Sequence, residues 1–314
     1  MKSVAACFER ENACYVTIEA TKVDGFWPIH GYRIVTLEGT AFFPRDLTEI
    51  PSQTGLNWHR EAFASVDIVT PPYYMIGLLS FHASSINSAN GQLGKFECGD
   101  RMLREIYTPQ AIAELIEGVW SKRTAFKPYY DQLVESSKAY CLGLYNVAIV
   151  GILPCIEGIV RRLGLASGIR VDSEVSINNL VKVFRRLQQK EVDSMMDGFD
   201  WFPASEINIS LLNRFHERVQ IFEGISNYLK MKLYLYTKNA PEHLTLNRHG
   251  ISHGFFQGYA TEANYLRLFN LLSALSFADI MVEGQGSLMP PGSSPESELL
   301  RARLSLCVAM SVAI

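Results

Sequence analysis

The stretch TEANYLRLFNLLSALSFADIMV, residues 261–282, decides the fold class expected for most of this chain. Its apolar residues recur at a spacing that an α-helix places on one face. They are Leu266, Phe269, Leu272 and Leu275. Such a face must be buried against other helices, so the stretch predicts a helical bundle around it.

Four further helical patterns come before this stretch. They cover about residues 108–119, 128–163, 176–196 and 206–236. Thr108 and Pro109 are typical of a helix start, because a capping hydroxyl precedes proline at the first helical position. Pro154 is expected to kink the second of these helices and Gly164 to end it. Residues 100–284 are therefore expected to form an all-α bundle.

Residues 1–95 have a different pattern, which is rich in β-branched and aromatic side chains. Segments of this kind predict strands. The expected strands cover residues 14–19, 32–37, 66–69 and 73–81. The stretch 83–94 is rich in serine, asparagine and glycine, so we expect a loop and a domain boundary there.

We therefore expect an α+β protein, in which a smaller β-rich N-terminal domain, residues 1–95, precedes the helical domain, residues 100–284. Residues 284–298 are rich in glycine, serine and proline, which is typical of a flexible linker. The apolar segment 299–314 could pack as a helix or lack structure. Residues 285–314 are thus predicted to be a linker followed by a short apolar tail.

Composition restricts the class of protein. A formal net charge of -3 argues against nucleic-acid binding through bulk charge, although basic residues outnumber acidic ones in residues 137–190. Six cysteines lie without close pairs, which is typical of reduced thiols in a cytoplasmic protein. No apolar run reaches the roughly 18 residues that a membrane helix needs. Charged residues at 9–11 interrupt any signal peptide, so neither kind of segment is expected.

The stretch LNRHGISHG, residues 246–254, comes just before residues 261–282 and concentrates side chains that can do chemistry. Arg248 is a permanent cation suited to a phosphate or a developing oxyanion. His253 carries an imidazole, the side chain that most often acts as a general acid or base. On a helix, His249 and His253 share a face because they are four residues apart, whereas Arg248 and His253 do not.

Glycines recur every four residues along this stretch, at Gly250, Gly254 and Gly258. On a helix this spacing leaves a smooth strip that the backbone of a second subunit could approach. Two copies that met there would bring two arginines and several histidines into one cleft.

The order Arg248-His249-x-x-x-His253 resembles the R-x4-6-H motif of the HEPN superfamily (higher eukaryotes and prokaryotes nucleotide-binding). In that motif a polar residue directly follows the arginine, as His249 does here. The long helices of residues 100–284, with the motif late among them, are also similar to the HEPN bundle. Members with an intact motif are typically metal-independent endoribonucleases that act as homodimers. Many serve as toxins or as abortive-infection effectors against phage.

The resemblance implies a role for each motif residue. Arg248 would stabilise the pentavalent phosphorane, His253 would be the acid–base residue for attack by the RNA 2′-hydroxyl, and His249 would orient or assist. This chemistry needs a proton acceptor, a proton donor and a cation, and neither a metal nor another cofactor. The expected partners are RNA, a second copy through the helical domain, and an antitoxin or regulatory protein. The N-terminal domain could be the sensor.

Four other residues are candidates for substrate binding: Asn247, Glu157, Arg161 and Arg162. Asn247 can also cap a short helix. Glu157 lies on an otherwise apolar helix, where it could pair with Arg248 or form a structural ion pair. For the two arginines, the alternative explanation is a solvated helix face.

Three other interpretations of the motif stay open. The arginine and the histidines could form a buried structural cluster that braces a loop against the bundle. His249 and His253 could bind zinc, with His243 or Glu262 completing the ligand set. The domain could also have the HEPN fold and act as a non-catalytic module that binds RNA, a nucleotide or a protein.

Overall fold

A computed structural model of the protein describes residues 5, 6, 9, 15, 17–25, 27–169, 177–236, 246–284 and 289–311. A three-stranded antiparallel sheet lies near the N-terminus and a series of helices follows it, so the α+β class is confirmed. The chain divides into two compact units. The sheet unit contains Met1–Trp58 and Arg185–Gln220, and the helical unit contains His59–Phe184 and Ile221–Ile314.

The sheet consists of β1 (Thr17–Val23), β2 (Ile29–Val35) and β3 (Thr40–Pro44), in the order β1-β2-β3. β1 and β2 overlap the segments expected at 14–19 and 32–37, but Tyr15, Thr36 and Leu37 lie outside the strands, and residues 14 and 16 lie outside the described part. Gly31 pairs with Pro44, and a side chain at Gly31 would collide with the Phe42 ring. The core beneath the sheet is apolar and includes Val23, Ile29, Phe42, Ile50, Leu212, Phe215 and Val219.

After a 3₁₀ turn, Leu47–Glu49, come three α-helices: α1 (Gly55–Ala64), α2 (Ile76–Ser88) and α3 (Gly91–Ile106). The strands expected at 66–69 and 73–81 are therefore wrong, and so is the loop expected at 83–94. The boundary predicted between residues 95 and 100 falls inside α3, and the compact units divide the chain at other places.

Serines account for the incorrect loop. The hydroxyls of Ser80, Ser85 and Ser88 each donate to the backbone carbonyl four residues earlier, at 2.8, 3.0 and 2.6 Å. Serine can hydrogen-bond the backbone inside a helix as well as in a turn, so a serine-rich composition does not exclude a helix. The buried residues of α2 follow a helical spacing: Leu79, His82, Ala83 and Ile86.

The other helices in the described residues are α4 (Pro109–Gly118), α5 (Tyr130–Cys141), α6 (Tyr145–Ala166), α7 (Ile177–Met195), α8 (Ile209–Leu212), α9 (Glu217–Tyr228), α10 (Arg248–Ser252), α11 (Glu262–Glu283) and α12 (Pro295–Ser311). A π-helical turn, Leu229–Leu233, follows α9. Thr108 caps α4 as predicted, because its side chain accepts from the amide of Ala111.

Two helical predictions need correction, and one open question is resolved. The helix expected at 128–163 divides into α5 and α6 at Gly143, whose φ of +75° is in the left-handed region. The helix expected at 206–236 divides into α8, α9 and the π-helical turn. For the apolar tail, where the sequence left open a helix or no structure, the structure has a helix that begins at residue 295, inside the expected linker. Residues 285–288 of that linker lie outside the described part.

The helix that the opening stretch predicts, α11, is the central helix of its unit. Residues from Asn264 to Ile280 are buried on every side, rather than on one face. Among the described residues, α11 alone is long and apolar enough to span a membrane, but 89% of its most apolar window is buried within the protein. A central core helix of a soluble protein has the same composition.

The last polar residue in this buried part of α11 is Asp279, which is 1% exposed. Burial raises the pKa of its carboxyl to about 6, and the nearby Glu283 adds to the effect while Arg123 opposes it. Within the described part of the chain, no group donates a hydrogen bond to the Oδ2 atom of Asp279. Because the folded-state pKa is above the ordinary value of 3.8, ionisation of Asp279 destabilises the fold as pH rises from about 4 through about 6.

We predict that Asp279→Asn raises the free energy of unfolding at pH 7.5 by about 1–2 kcal/mol, since the amide carries no charge to bury. Below about pH 3, where the carboxyl is largely protonated in both the folded and the unfolded chain because its ordinary pKa is 3.8, the gain should disappear. Urea unfolding at the two pH values measures the difference. Asp131→Asn, at an exposed position of α5, is the matched control. A gain that is equal at both pH values would contradict the assignment of the pKa shift.

Candidate functional site

Asn247 fixes the position of α10, which carries the motif. Its Oδ1 atom accepts from the amide of Gly250 at 2.9 Å, which caps the helix as predicted. Its Nδ2 atom donates to the carbonyls of Lys232 and Leu235, at 3.1 and 2.7 Å. Asn247 is completely buried. It therefore anchors the motif helix and does not reach a substrate directly.

The glycines of the motif region do not form the strip that their spacing predicts. The helix α10 ends at Ser252, so Gly254 and Gly258 lie beyond it. Gly254 has a φ of +72°, and its left-handed conformation ends the helix. Gly250 packs against the Phe256 ring so closely that a Cβ atom would collide with it. These glycines shape the turn after α10 and are not a docking strip for a second backbone.

Arg248 pairs with Glu157 of α6. This pairing is one of the two roles that the sequence suggested for Glu157. The Arg248 Nη2 atom lies 3.4 Å from Glu157 Oε2, and Arg161 Nη2 lies 3.2 Å from Glu157 Oε1. The hydroxyl of Tyr234 donates to Glu157 Oε2 at 3.4 Å. Burial, and then the charge of Glu157, raise the pKa of Tyr234, so its hydroxyl keeps its proton. One carboxylate thus orients two guanidinium groups and a phenol.

The two histidines share a face, as their spacing predicts. Their rings are nearly parallel, with an interplanar angle of 4° and 6.2 Å between centroids. Tyr234 meets the His249 ring edge-on at 6.3 Å. His249 is half-buried, whereas His253 is exposed. His253 is therefore the motif histidine that solvent or a large substrate reaches first.

The environment of His249 favours its neutral form. Burial lowers the pKa of His249 below its ordinary value of 6.5, and the neighbouring Arg248 and His253 lower it further. Glu157 acts in the opposite direction. Since the pKa lies below 6.5, the ring is neutral at pH 7 and can accept a proton or a hydrogen bond.

A cleft of about 410 Å³ lies beside Arg248. Polar and apolar side chains line it together: Tyr129, Val150, Leu153, Pro154, Glu157, Arg161, Arg248, Ile251 and Ser252. Of the four predicted substrate-binding residues, Glu157 and Arg161 belong to this lining and Asn247 and Arg162 do not. Arg162 is exposed on α6. The two histidines of the motif also lie outside the lining. The Arg248 guanidinium therefore lines the cleft, whereas the two imidazoles do not.

Two aromatic residues of the site were missed in the sequence. Tyr234 contacts both Glu157 and His249, and it follows directly after the π-helical turn. Tyr129 reaches the cleft because Gly158 leaves room for it; a Cβ at Gly158 would collide with the Tyr129 hydroxyl. A glycine directly after an acidic residue on an apolar helix is the signal that could have found Tyr129. Tyr234 had no local signal of its own.

The zinc interpretation is not supported by the described residues. No group of three or more histidine, cysteine, aspartate or glutamate side chains in that part of the chain is arranged to hold a metal ion. His243 lies outside the described residues. Glu262 is bonded instead to Arg104 and to Tyr140, each at 3.3 Å.

Comparison with known proteins does not add a relative. No family model, curated protein or solved structure matches the chain. The HEPN resemblance therefore continues to depend on the motif and on its helical surroundings.

We predict that removing the charge of Arg248 and removing the charge of Glu157 shift the pKa of His249 in opposite directions. Arg248→Met removes a cation and should raise the pKa of His249 toward its ordinary value, whereas Glu157→Gln removes an anion and should lower it further. Titration of the imidazole C2 protons by NMR measures both. Arg162→Met, on the exposed face of α6, should leave the pKa of His249 unchanged. Shifts in the same direction for the first two variants would contradict this electrostatic account.

Proposed function

We propose that this chain is a metal-independent endoribonuclease of the HEPN type, acting in the cytoplasm as a homodimer. Arg248 stabilises the charge of the phosphorane, His253 is the acid–base residue, and His249 assists it. The biological setting we propose is phage defence by abortive infection, or a toxin–antitoxin system. The sheet unit would then sense or regulate, and an antitoxin is a candidate partner.

The arrangement at α10 is the observation that supports this proposal. The guanidinium of Arg248 lines a cleft, and the next residue, His249, has a lowered pKa and lies parallel to the exposed His253. A cation, a neutral imidazole and a second imidazole are the groups that cleavage through the RNA 2′-hydroxyl requires. A buried structural cluster, the plainer alternative, is less consistent with an exposed His253.

The proposed reaction balances without a cofactor. A neutral imidazole takes the proton of the 2′-hydroxyl, and the oxygen attacks the adjacent phosphorus. The bond from phosphorus to the 5′-oxygen then breaks, and a protonated imidazole donates to that oxygen. The products are a 2′,3′-cyclic phosphate and a 5′-hydroxyl. Arg248 stabilises the negative charge that develops on the phosphorane oxygens, which is worth about 100-fold or more in comparable sites.

An exposed apolar stripe on α6 supports the homodimer. Leu144, at the start of the helix, is 51% exposed, and Val147 and Val150 are 61% and 51% exposed. These residues lie about one helical turn apart, and Val150 also lines the cleft. Contiguous exposed apolar side chains mark interaction surfaces. A second copy bound on this stripe would border the cleft, because Val150 belongs to both.

We predict that Val147→Asp converts the dimer to a monomer, because the partner helix would have to bury a carboxylate. Light scattering after size exclusion should give about twice the chain mass of 35.3 kDa for the wild type and the chain mass for the variant. Leu306→Asp changes an equally exposed side chain of α12 (62%) and should leave the dimer intact. A wild-type monomer, or a dimer that resists Val147→Asp, would remove the role proposed for the α6 stripe.

Cleavage of total RNA in excess EDTA tests the proposed function. The wild type should leave 2′,3′-cyclic phosphate ends, and Arg248→Ala and His253→Ala should each reduce the rate by about 100-fold or more. His249→Ala should cost less, since His249 assists. Arg162→Ala is the control, because Arg162 is an exposed arginine of α6 outside the cleft.

The other outcomes of this experiment are also informative. RNA binding without cleavage by the wild type would favour the alternative of a non-catalytic HEPN-type module for RNA, nucleotide or protein. Equal cleavage by the wild type and by both the arginine and the histidine variants would mean that the motif is structural.

A further inference from the structure

A second cleft lies in the helical unit, close in sequence to the motif but with a different lining. Its volume is about 330 Å³, which is at the small end of the range for ligand sites. Leu246 and Gly258, which flank the motif in the sequence, both contribute to its lining. None of the motif residues Arg248, His249 and His253 does. The RNA-cleavage proposal therefore leaves this cleft without a role.

Unusual backbone conformations meet in this cleft. Asp67 is the only described non-glycine residue with a positive φ, at 60°. Lys232, whose Nζ atom lies 2.6 Å from Asp67 Oδ1, belongs to the π-helical turn. Strained residues and π-helical turns are both concentrated at functional sites. Their ion pair lines the cleft, so the strain is at the position where a ligand would bind.

The charges that line the cleft are balanced. Arg267, which is 5% exposed, pairs with Asp100 at 2.6 Å, and Lys232 pairs with Asp67 at the same distance. Each of these two cations is already matched by a carboxylate. A polyphosphate would have to displace both carboxylates, and burial of its charge would be costly without free cations. The cleft is therefore suited to a ligand without net charge.

Aromatic rings and carboxylates together indicate the chemistry of that ligand. Phe96 and Tyr228 line the cleft, and the Arg267 guanidinium lies 5.3 Å from the centre of the Phe96 ring. Aromatic side chains bind flat heteroaromatic rings by stacking. Asp67 and Asp100 accept hydrogen bonds, and paired ribose hydroxyls are typical donors to such carboxylates in nucleotide sites.

From this combination we infer that the cleft between Asp67, Phe96 and Asp100 binds a nucleoside. The base packs against Phe96, and the ribose hydroxyls donate to the carboxylates. This inference goes beyond the proposed nuclease function and does not depend on it, because binding requires neither RNA nor the motif histidines.

Calorimetric titration of the full-length protein with adenosine, guanosine, cytidine and uridine, and with their 5′-triphosphates, tests the inference. At least one nucleoside should bind at millimolar concentration or below, and more tightly than its triphosphate. Asp67→Asn should weaken binding about tenfold or more by removing a charged acceptor. Asparagine tolerates a positive φ, so this variant preserves the backbone. Phe96→Leu, which removes the ring, should weaken binding as well.

Asp131→Asn, at an exposed site of α5, should leave nucleoside binding unchanged. Circular dichroism verifies that each variant is folded, and Phe96→Leu gives an independent result if Asp67→Asn is not. Three results would overturn the inference: no nucleoside binds at millimolar concentration, the triphosphate binds more tightly than the nucleoside, or the folded cleft variants bind as the wild type does. The RNA-cleavage result has no influence on any of them.

Discussion

Burial of a polar stripe along α11 is the constraint on which the rest of the helical unit depends. The stripe recurs every three residues and consists of Asn264, Arg267, Asn270, Ser273, Ser276 and Asp279, all buried. A buried polar group without a partner costs about 1–3 kcal/mol. Ser273 and Ser276 donate to carbonyls of α11 itself, whereas Arg267 and Asn270 take partners from a neighbouring segment. Arg267 donates to the carbonyl of Val66 at 3.2 Å, and Asn270 donates to the carbonyl of Val69 at 2.7 Å. The segment between α1 and α2 is held by side chains of the central helix and is not part of a sheet.

The same constraint positions the motif. Asp67 lies between the two anchored carbonyls, and its carboxylate pairs with the side chain of Lys232. The carbonyl of Lys232 accepts from Asn247, and Asn247 caps the helix that begins with Arg248. Each contact in this series is buried or half-buried and is made by a polar group. The position of α10, and with it the Arg248 backbone, is therefore set by hydrogen bonds that start at α11, and less by the five-residue helix itself.

Local signals explain what the sequence could predict. The caps at Thr108 and Asn247 depend on residues three positions away, and the helix expected at 176–196 matches α7 because its apolar spacing is regular. Non-local partners explain the errors. Residues 66–69 have the composition of a strand, but their carbonyls are bonded by residues about 200 positions later in the chain. Neither periodicity nor propensity contains that information.

The candidate site also combines features that local sequence predicts with features that depend on tertiary contacts. The shared face of His249 and His253 follows from their spacing, whereas Tyr234 could be found only from the fold, since it meets His249 and Glu157 through tertiary contacts. The pairing of Arg248 with Glu157 joins residues 91 positions apart, and the sequence left it as one of two alternatives.

That pairing determines the charge that the cleft presents. Arg161 and Arg248 share the carboxylate of Glu157, so these three side chains together carry one net positive charge. One phosphodiester group carries one negative charge, and the two are therefore matched. The formal charge of the whole chain, -3, has little influence on the cleft, because solvent screens charges that lie more than about 8–10 Å away. Glu157 thus orients the arginine of the motif and also reduces the local charge to the amount that a single phosphate can neutralise.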